Sequence, residues 1–295
     1  DIEETPIHAV FDEVDKQANE RGMRVTGSEI VGLVPLQAML EAGRYYLKKQ
    51  NLTTAVSEAE LVQAAALSLG LSDVSEFDPD DKIVEYRFRR ADSLNNMSIT
   101  EFTDTLASDA PAPGGGSTAA LCGALAASLA SMVSNLTFGK REYEQDWAEM
   151  EEVGVKGQEA KQWFLAAIDR DTDAFNAVMA TMRMKKKTDE QKAARKKAMQ
   201  EASKAATRVP YEILEKTVEV VPLLKAVAER GNPNSVSDAG VGAHCLIACA
   251  EGAALNVIIN LPGIKDESFR KEYKDKTARS EEHTSETPVT THNLV

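Results

Sequence analysis

The residues best suited to do chemistry lie in three short segments of this 295-residue chain. The first is PAPGGGS at residues 111–117, three consecutive glycines between two prolines and a helical pattern. Without Cβ atoms, their backbone amides can approach an anionic or planar ligand closely, as helix N-termini do. The string is neither GxGxxG nor a P-loop, because no lysine follows it and no strand precedes it. The alternative is a tight interhelical turn with Ser117 as N-cap.

The second is Asp171. Phe164, Leu165, Ile168, Phe175, Val178, Met179 and Met182 form an apolar helical stripe, and position 171 continues it between Ile168 and Phe175. A carboxylate there is costly unless it is paired or functional, and proton transfer or stabilisation of a cation would need such a group. A buried salt bridge or a cap for a neighbouring helix would account for it as well. Asp169 and Asp173 lie about 200° around the helix and share its solvent face.

The third is GNPNSVSD at residues 231–238, which gathers Asn232, Ser235, Ser237 and Asp238 around a helix start. Ordinary capping explains one or two of them, and a polar patch on a ligand would explain all four. His244 has no second histidine nearby and reads as a packed helical residue, so no metal site is expected. Arg183, Lys185, Lys186, Lys187, Lys192, Arg195, Lys196 and Lys197 face only Asp189 and Glu190. That run is either a solvated helix face or a dock for a polyanionic tail.

The elements that must position these segments are mostly helices. Ile7, Val10, Phe11 and Val14 give a first helix, Pro35 opens a second through Leu47, and Ser57 with Glu60 caps a third that Gly70 stops. Residues 23–26 and the alternating stretch 83–88 read as strands, so residues 1–90 read as mixed helix and strand. From residue 98 onward no strand is expected. Ser98 with Glu101 caps a helix, a small-residue helix covers 118–136, and an amphipathic stretch covers 142–184. Thr188 and Gln191 cap the next helix, which should kink at Pro210 and stop at Gly231; another runs from Ser235 to about Asn260. This part is a helical bundle.

Bulk properties agree. Hydrophobic residues make up 43% and aromatic residues 5%, with much of the apolar content alanine, which suits closely packed helices. A net charge of −13 argues against nucleic acid as a partner. The most apolar run, residues 119–133, is too short for a bilayer, so no membrane is expected. Three cysteines (Cys122, Cys245, Cys249) without CxxC spacing fit a reducing cytoplasm.

APGGGS, SMVSNLTFGK at residues 131–140, DRDTDAF at 169–175, GNPNSVSD and NVIINL at 256–261 occur in the order seen in the formimidoyltetrahydrofolate cyclodeaminase family, which this stretch resembles. Upstream, VTGSEIVGLVP at 25–35, SLGL at 68–71 and FDPDDKIVEY at 77–86 resemble the end of a glutamate formiminotransferase domain. The order is that of the bifunctional formiminotransferase-cyclodeaminases of histidine breakdown. The resemblance implies a truncated α/β transferase piece at 1–90, which would lack transferase activity, then a linker at 91–97 and a cyclodeaminase-like helical domain at 98–278. His8 is not expected to serve as the transferase's histidine. Residues 279–295 depart from the family: from Ala278 the chain reads ARSEEHTSETPVTTHNLV, which resembles translated sequencing-adapter DNA. That tail, with His283 and His292, is expected to carry no function, and a terminal helix of the family is expected to be missing.

For function, the resemblance implies conversion of 5-formiminotetrahydrofolate to 5,10-methenyltetrahydrofolate plus ammonia, with no cofactor beyond tetrahydrofolate as substrate. Asp171 is assigned to stabilise the cationic carbon and relay a proton, with Asp169 second and Asp238 third. Pro113, Gly114, Gly115, Gly116, Ser117, Asn232, Ser235 and Ser237 would hold the pterin. Lys185, Lys186, Lys187 and Lys192 would take a polyglutamate tail. Partners would be folate and further copies of the chain, in an oligomer built from dimers. A methenyltetrahydrofolate cyclohydrolase, or a non-catalytic folate-binding or oligomerisation module, are the competing expectations.

Overall fold

Three helix starts follow from capping boxes, in which a side chain accepts the third helical N–H and a Glu or Gln reaches back to the cap. Ser57 with Glu60, Ser98 with Glu101 and Thr188 with Gln191 each form both bonds. The computed structural model describes residues 4–285, with side chains described through residue 280. Two compact units divide between Ala91 and Asp92.

The first unit contains α1 (Ile7–Glu20), α2 (Leu36–Lys49), α3 (Glu58–Ser68) and three single turns, α4 (Leu71–Val74), α5 (Pro79–Lys82) and α6 (Val84–Arg87). Gly70 ends α3 in the left-handed region, at φ 62°, which an L side chain would resist. Met39, Ala42, Ala65 and Ile83 are fully buried at its centre. Asp12 on α1 accepts from Tyr45 Oη at 2.6 Å, Tyr46 Oη at 3.1 Å and Lys49 Nζ at 2.6 Å, tying α1 to α2.

The α/β expectation for this unit is corrected. Among the described residues there is no strand; the two extended segments meet only in an isolated parallel bridge, Val34 with Ile83. Residues 23–26 form no regular element, and Val84–Arg87 is a helical turn where a strand was expected. A strand persists only where a neighbouring chain takes its N–H and C=O groups. Here Val34 exchanges bonds with Lys82 and Val84, and the ladder stops there.

The second unit opens with a single 3-10 turn, Leu94–Asn96, and α7 (Ile99–Leu106). Four long helices follow: α8 (Gly115–Thr137), α9 (Trp147–Arg183), α10 (Asp189–Arg230) and α11 (Val236–Asn260), with α12 (Glu267–Ser285) packed on α10 and α11. Helix α10 continues through Pro210 and Pro222 as one helix and stops at Gly231. The bundle core is built on alanine: Ala120, Ala126, Ala127, Ala130, Ala167 and Ala253 are all fully buried. Small side chains let helices approach, and glycines mark the tightest points. A Cβ at Gly123 would lie 2.6 Å from the Phe164 ring, and one at Gly242 would lie 2.7 Å from Leu224 Cδ2.

Helices α8 and α11 run antiparallel, because Asn256 of α11 lies by Gly115 while Asn232, ahead of α11, bonds to Leu136 and Thr137. Their outer faces form an apolar surface, with Leu125 47%, Leu136 41%, Val241 54%, Leu255 67% and Ile259 74% exposed. Helix α8 and the segment Pro233–Gly263 are long and apolar enough to cross a membrane by length and composition, and 56% and 39% of their apolar windows are buried. The expectation that the first run is too short is therefore corrected. Uncharged Gly, Ser and Thr extend the helix at both ends of the apolar run, to 23 residues. Helix α12 enters the adapter-like string and continues to Ser285. Residues 286–295, including His292, and the side chain of His283 lie outside what is described.

Candidate active site

Helix α8 begins at Gly115, three residues earlier than the apolar pattern indicates, with Gly114 as N-cap and no side-chain cap. Gly115, Gly116 and Ser117 therefore form its first turn, whose N–H groups have no partner within the helix. Ser117 lies inside the helix and is not its N-cap. It is fully buried, and its Oγ lies 3.0 Å from Asp171 Oδ2, 3.1 Å from Thr172 Oγ1 and 3.3 Å from the Ile168 carbonyl.

Asp171 reaches this turn from α9. Its carboxylate takes both the Oγ–H and the backbone N–H of Ser117, so it caps α8 from another helix. It occupies the space that a Cβ on Gly116 would need, with Oδ1 2.2 Å from that position, which explains the glycine. Burial pushes its carboxyl above the ordinary aspartate range, and the two bonds from Ser117 offset this only in part. The apolar stripe behaves differently on its two sides. Phe164 and Ile168 are core residues, whereas Phe175 is 37% and Met182 50% exposed. Asp171 thus stands, half-buried, where α9 leaves the core.

Asp169 is not a solvent-face residue. Its carboxylate accepts from Ser93 Oγ at 2.5 Å, Leu94 N–H at 2.8 Å and Asn95 Nδ2 at 3.2 Å, pinning the segment before α7 onto α9. Those partners lie 74 to 76 residues away in the chain, out of range of any local pattern.

On the outer side of the glycine turn is a cavity of about 490 Å³, lined by Pro113, Gly114, Gly115, Thr118, Cys122 and Gly252 among others. Next to Gly115 and Gly252 of that lining, Asn256 of α11 donates from Nδ2 to the Gly252 carbonyl at 2.7 Å, with Nδ2 3.2 Å and Oδ1 3.5 Å from where a Cβ on Gly115 would be. Sequence spacing gives Asn256 no role. Its signal was a carboxamide between Leu255 and Val257 in an apolar helix.

The GNPNSVSD cluster is elsewhere. Asn232 and Ser235 are each 5% exposed; Asn232 N–H donates to Thr137 Oγ1 at 2.8 Å, and its Oδ1 accepts from Asn234 N–H at 3.1 Å. Ser237 is exposed and Asp238 half-buried in the first turn of α11. This is the far end of α8, about 30 Å from the glycine turn at 1.5 Å per residue. Within one chain the two clusters are not brought together: they lie at opposite ends of an antiparallel helix pair. The basic run occupies the α9–α10 turn. Lys185, Lys186 and Lys187 are exposed, Lys192 pairs with Asp189 at 2.8 Å, and Arg195 donates to the last carbonyls of α9. Along α9 that turn is about 20 Å from Asp171.

Residues 98–279 match the family model described as formiminotransferase-cyclodeaminase, and residues 1–89 match the formiminotransferase domain. The formimidoyltransferase-cyclodeaminase of Gallus gallus is 36% identical over 282 residues, covering 95% of this chain and 52% of that protein. Its Dictyostelium discoideum counterpart is 40% identical, over 90% of this chain and 49% of its own. A methenyltetrahydrofolate cyclohydrolase of Methylorubrum extorquens is 45% identical over 177 residues, 60% of this chain and 85% of that protein. The solved formiminotetrahydrofolate cyclodeaminase of Thermotoga maritima superposes with a TM-score of 0.58 at 32% identity, covering 64% of this chain and 91% of its own. The chain spans about half the length of the formimidoyltransferase-cyclodeaminases it matches. With a domain model of the family matching 98–279 and both domain types in the same order, this chain belongs to the formiminotransferase-cyclodeaminase family.

Proposed function

We propose that this chain cyclodeaminates 5-formiminotetrahydrofolate to 5,10-methenyltetrahydrofolate with release of ammonia. In the substrate an amidinium carbon sits on N5. N10 attacks that carbon, the N10 proton moves to the former imino nitrogen, and the carbon–nitrogen bond to it breaks. Ammonia departs and the methenyl cation remains. Asp171 carries this reading: a half-buried carboxylate at the glycine turn, with its affinity for a proton raised by burial. Such a group can hold the cationic carbon and pass one proton between two nitrogens. The chemistry calls for no metal or redox cofactor.

The glycine turn, with Pro113, is assigned the pterin. Asp169, which anchors Ser93–Asn95, is assigned to positioning. Lys185, Lys186 and Lys187, just past the C-terminus of α9, are assigned a polyglutamate tail; no carboxylate among the described residues pairs with them, which suits a chain of carboxylates. The apolar α8/α11 face is assigned to a second copy of the chain in a cytoplasmic oligomer built from dimers, rather than to a membrane. A copy packed antiparallel would bring Asn232, Ser235, Ser237 and Asp238 of one chain toward the glycine turn of the other.

The test is ammonia release from formimino-folate, followed with methenyl-folate absorbance, for wild type and Asp171→Asn. The variant should keep its helical circular dichroism and lose turnover by at least about 100-fold; near-normal turnover would discard the assignment. The 45% identity to a cyclohydrolase supports a second reading, hydrolysis of methenyl-folate. Faster methenyl-folate hydrolysis than ammonia release would select it.

A further inference from the structure

We propose that Asn256 selects the ring bound at the glycine turn, by presenting one neutral acceptor to an N–H of the ligand. This rests on the folate reading above. The orientation of its carboxamide is fixed, because the Gly252 carbonyl can only accept: Nδ2 must face it at 2.7 Å, leaving Oδ1 free. Among the described residues no donor meets that oxygen, which lies 3.5 Å from the Cβ position of Gly115. A carboxamide bonded back to the preceding helical turn normally turns its other atom to solvent. Here that atom sits at the mouth of α8, beside a cavity lined by Gly114, Gly115 and Gly252.

Two acceptors therefore flank successive glycines. Asp171 fills the Cβ space of Gly116 and Asn256 crowds that of Gly115. They differ in charge, which divides their work. The carboxylate suits the cationic reacting carbon, and the neutral amide oxygen suits an uncharged ring N–H. In a pterin the donor assigned to this oxygen is the 2-amino group of the aminopyrimidinone. A carboxylate at position 256 would repel the Gly252 carbonyl, and a hydrocarbon would leave the ligand's N–H unpaired.

The test compares Asn256→Leu with wild type by calorimetric binding of 5-formyltetrahydrofolate and its 2-desamino-2-methyl analogue. Wild type should prefer the amino ligand about tenfold, the value of one hydrogen bond in such a site. N256L should weaken the amino ligand by about that factor, leave the analogue nearly unchanged, and raise KM with kcat little altered. A merely structural residue would weaken both ligands alike. Equal weakening, or preference retained in N256L, overturns the proposal. Failure of wild type to bind either ligand overturns the folate reading instead, and the proposal with it. Should N256L lose its helical circular dichroism, N256A takes its place in the same comparison.

Discussion

Alanine at position 116 would place a Cβ 2.2 Å from Asp171 Oδ1, 2.5 Å from Cγ and 2.6 Å from Oδ2, far inside the ~3.5 Å of ordinary contact. The backbone of a buried helical turn cannot retreat by that much, so the carboxylate must swing away. It then loses both bonds from Ser117, including the one from Oγ at 3.0 Å. Hydrogen bonds to a charged group contribute about 1.5–3 kcal/mol each, and water replaces part of that at a half-buried site. Against this, alanine gains up to about 1 kcal/mol over glycine inside a helix. The net expectation is a loss of about 2–3 kcal/mol for Gly116→Ala. Displacing a reacting group by about 1 Å should lower turnover by about 100-fold.

The neighbouring glycines supply the controls. A Cβ at Gly114 meets nothing within 4 Å, and its φ of −135° is open to any residue, so Gly114→Ala should stay close to wild type in stability. Gly115→Ala should fall between, because its Cβ would press on Asn256 Nδ2 at 3.2 Å. Urea unfolding followed by far-ultraviolet circular dichroism ranks the three, and ammonia release reads the function of G116A. The reasoning is refuted if G116A turns over like wild type, or if G114A and G116A are destabilised equally.

Because burial raises the Asp171 carboxyl above its unfolded value near ~4, the folded state binds that proton more tightly than the unfolded chain. Its contribution to stability is complete below that value and is lost as pH rises through the raised one. D171N should therefore flatten the pH dependence of the urea midpoint in that window, and parallel curves would sink the claim. Asp169→Ala removes three bonds to Ser93, Leu94 and Asn95; it should cost about 2 kcal/mol and speed thermolysin cleavage near that segment, whereas unchanged cleavage would refute the anchoring role. Phe164→Ala empties a fully buried site against Gly123 and should cost about 3–5 kcal/mol; a loss below ~1 kcal/mol would mean the ring is not core. Burial raises all three thiols, Cys249 most, so iodoacetamide at neutral pH should label Cys122 and Cys245 slowly and Cys249 only on unfolding, as read by peptide mass mapping. Prompt labelling of Cys249 in the folded protein would contradict its burial.

The helix ends were legible in the sequence because their energetics are local. The three capping boxes, the left-handed Gly70 and the stop at Gly231 each involve groups within about four residues, and each forms as expected. The placement of Asp171 on a helical stripe was equally readable from spacing, since 3.6 residues per turn fixes which side chains share a face. Periodicity says that a face is covered, however, and not what covers it. The strands expected in residues 1–90 failed for want of partners, which lie tens of residues apart in the chain. Spacing alone puts Asp169 on the solvent face, because its partner Ser93 is 76 residues away. The polar cluster at residues 231–238 was joined to the glycine turn, whereas antiparallel packing of α8 and α11 sets them at opposite ends of one helix pair. Nothing local marks Asn256; the same packing sets its free oxygen near Gly115. Sequence alone determined the long helices, three of their caps and the family; only tertiary structure decided which polar groups meet, because their distances are set by packing between elements remote in the chain.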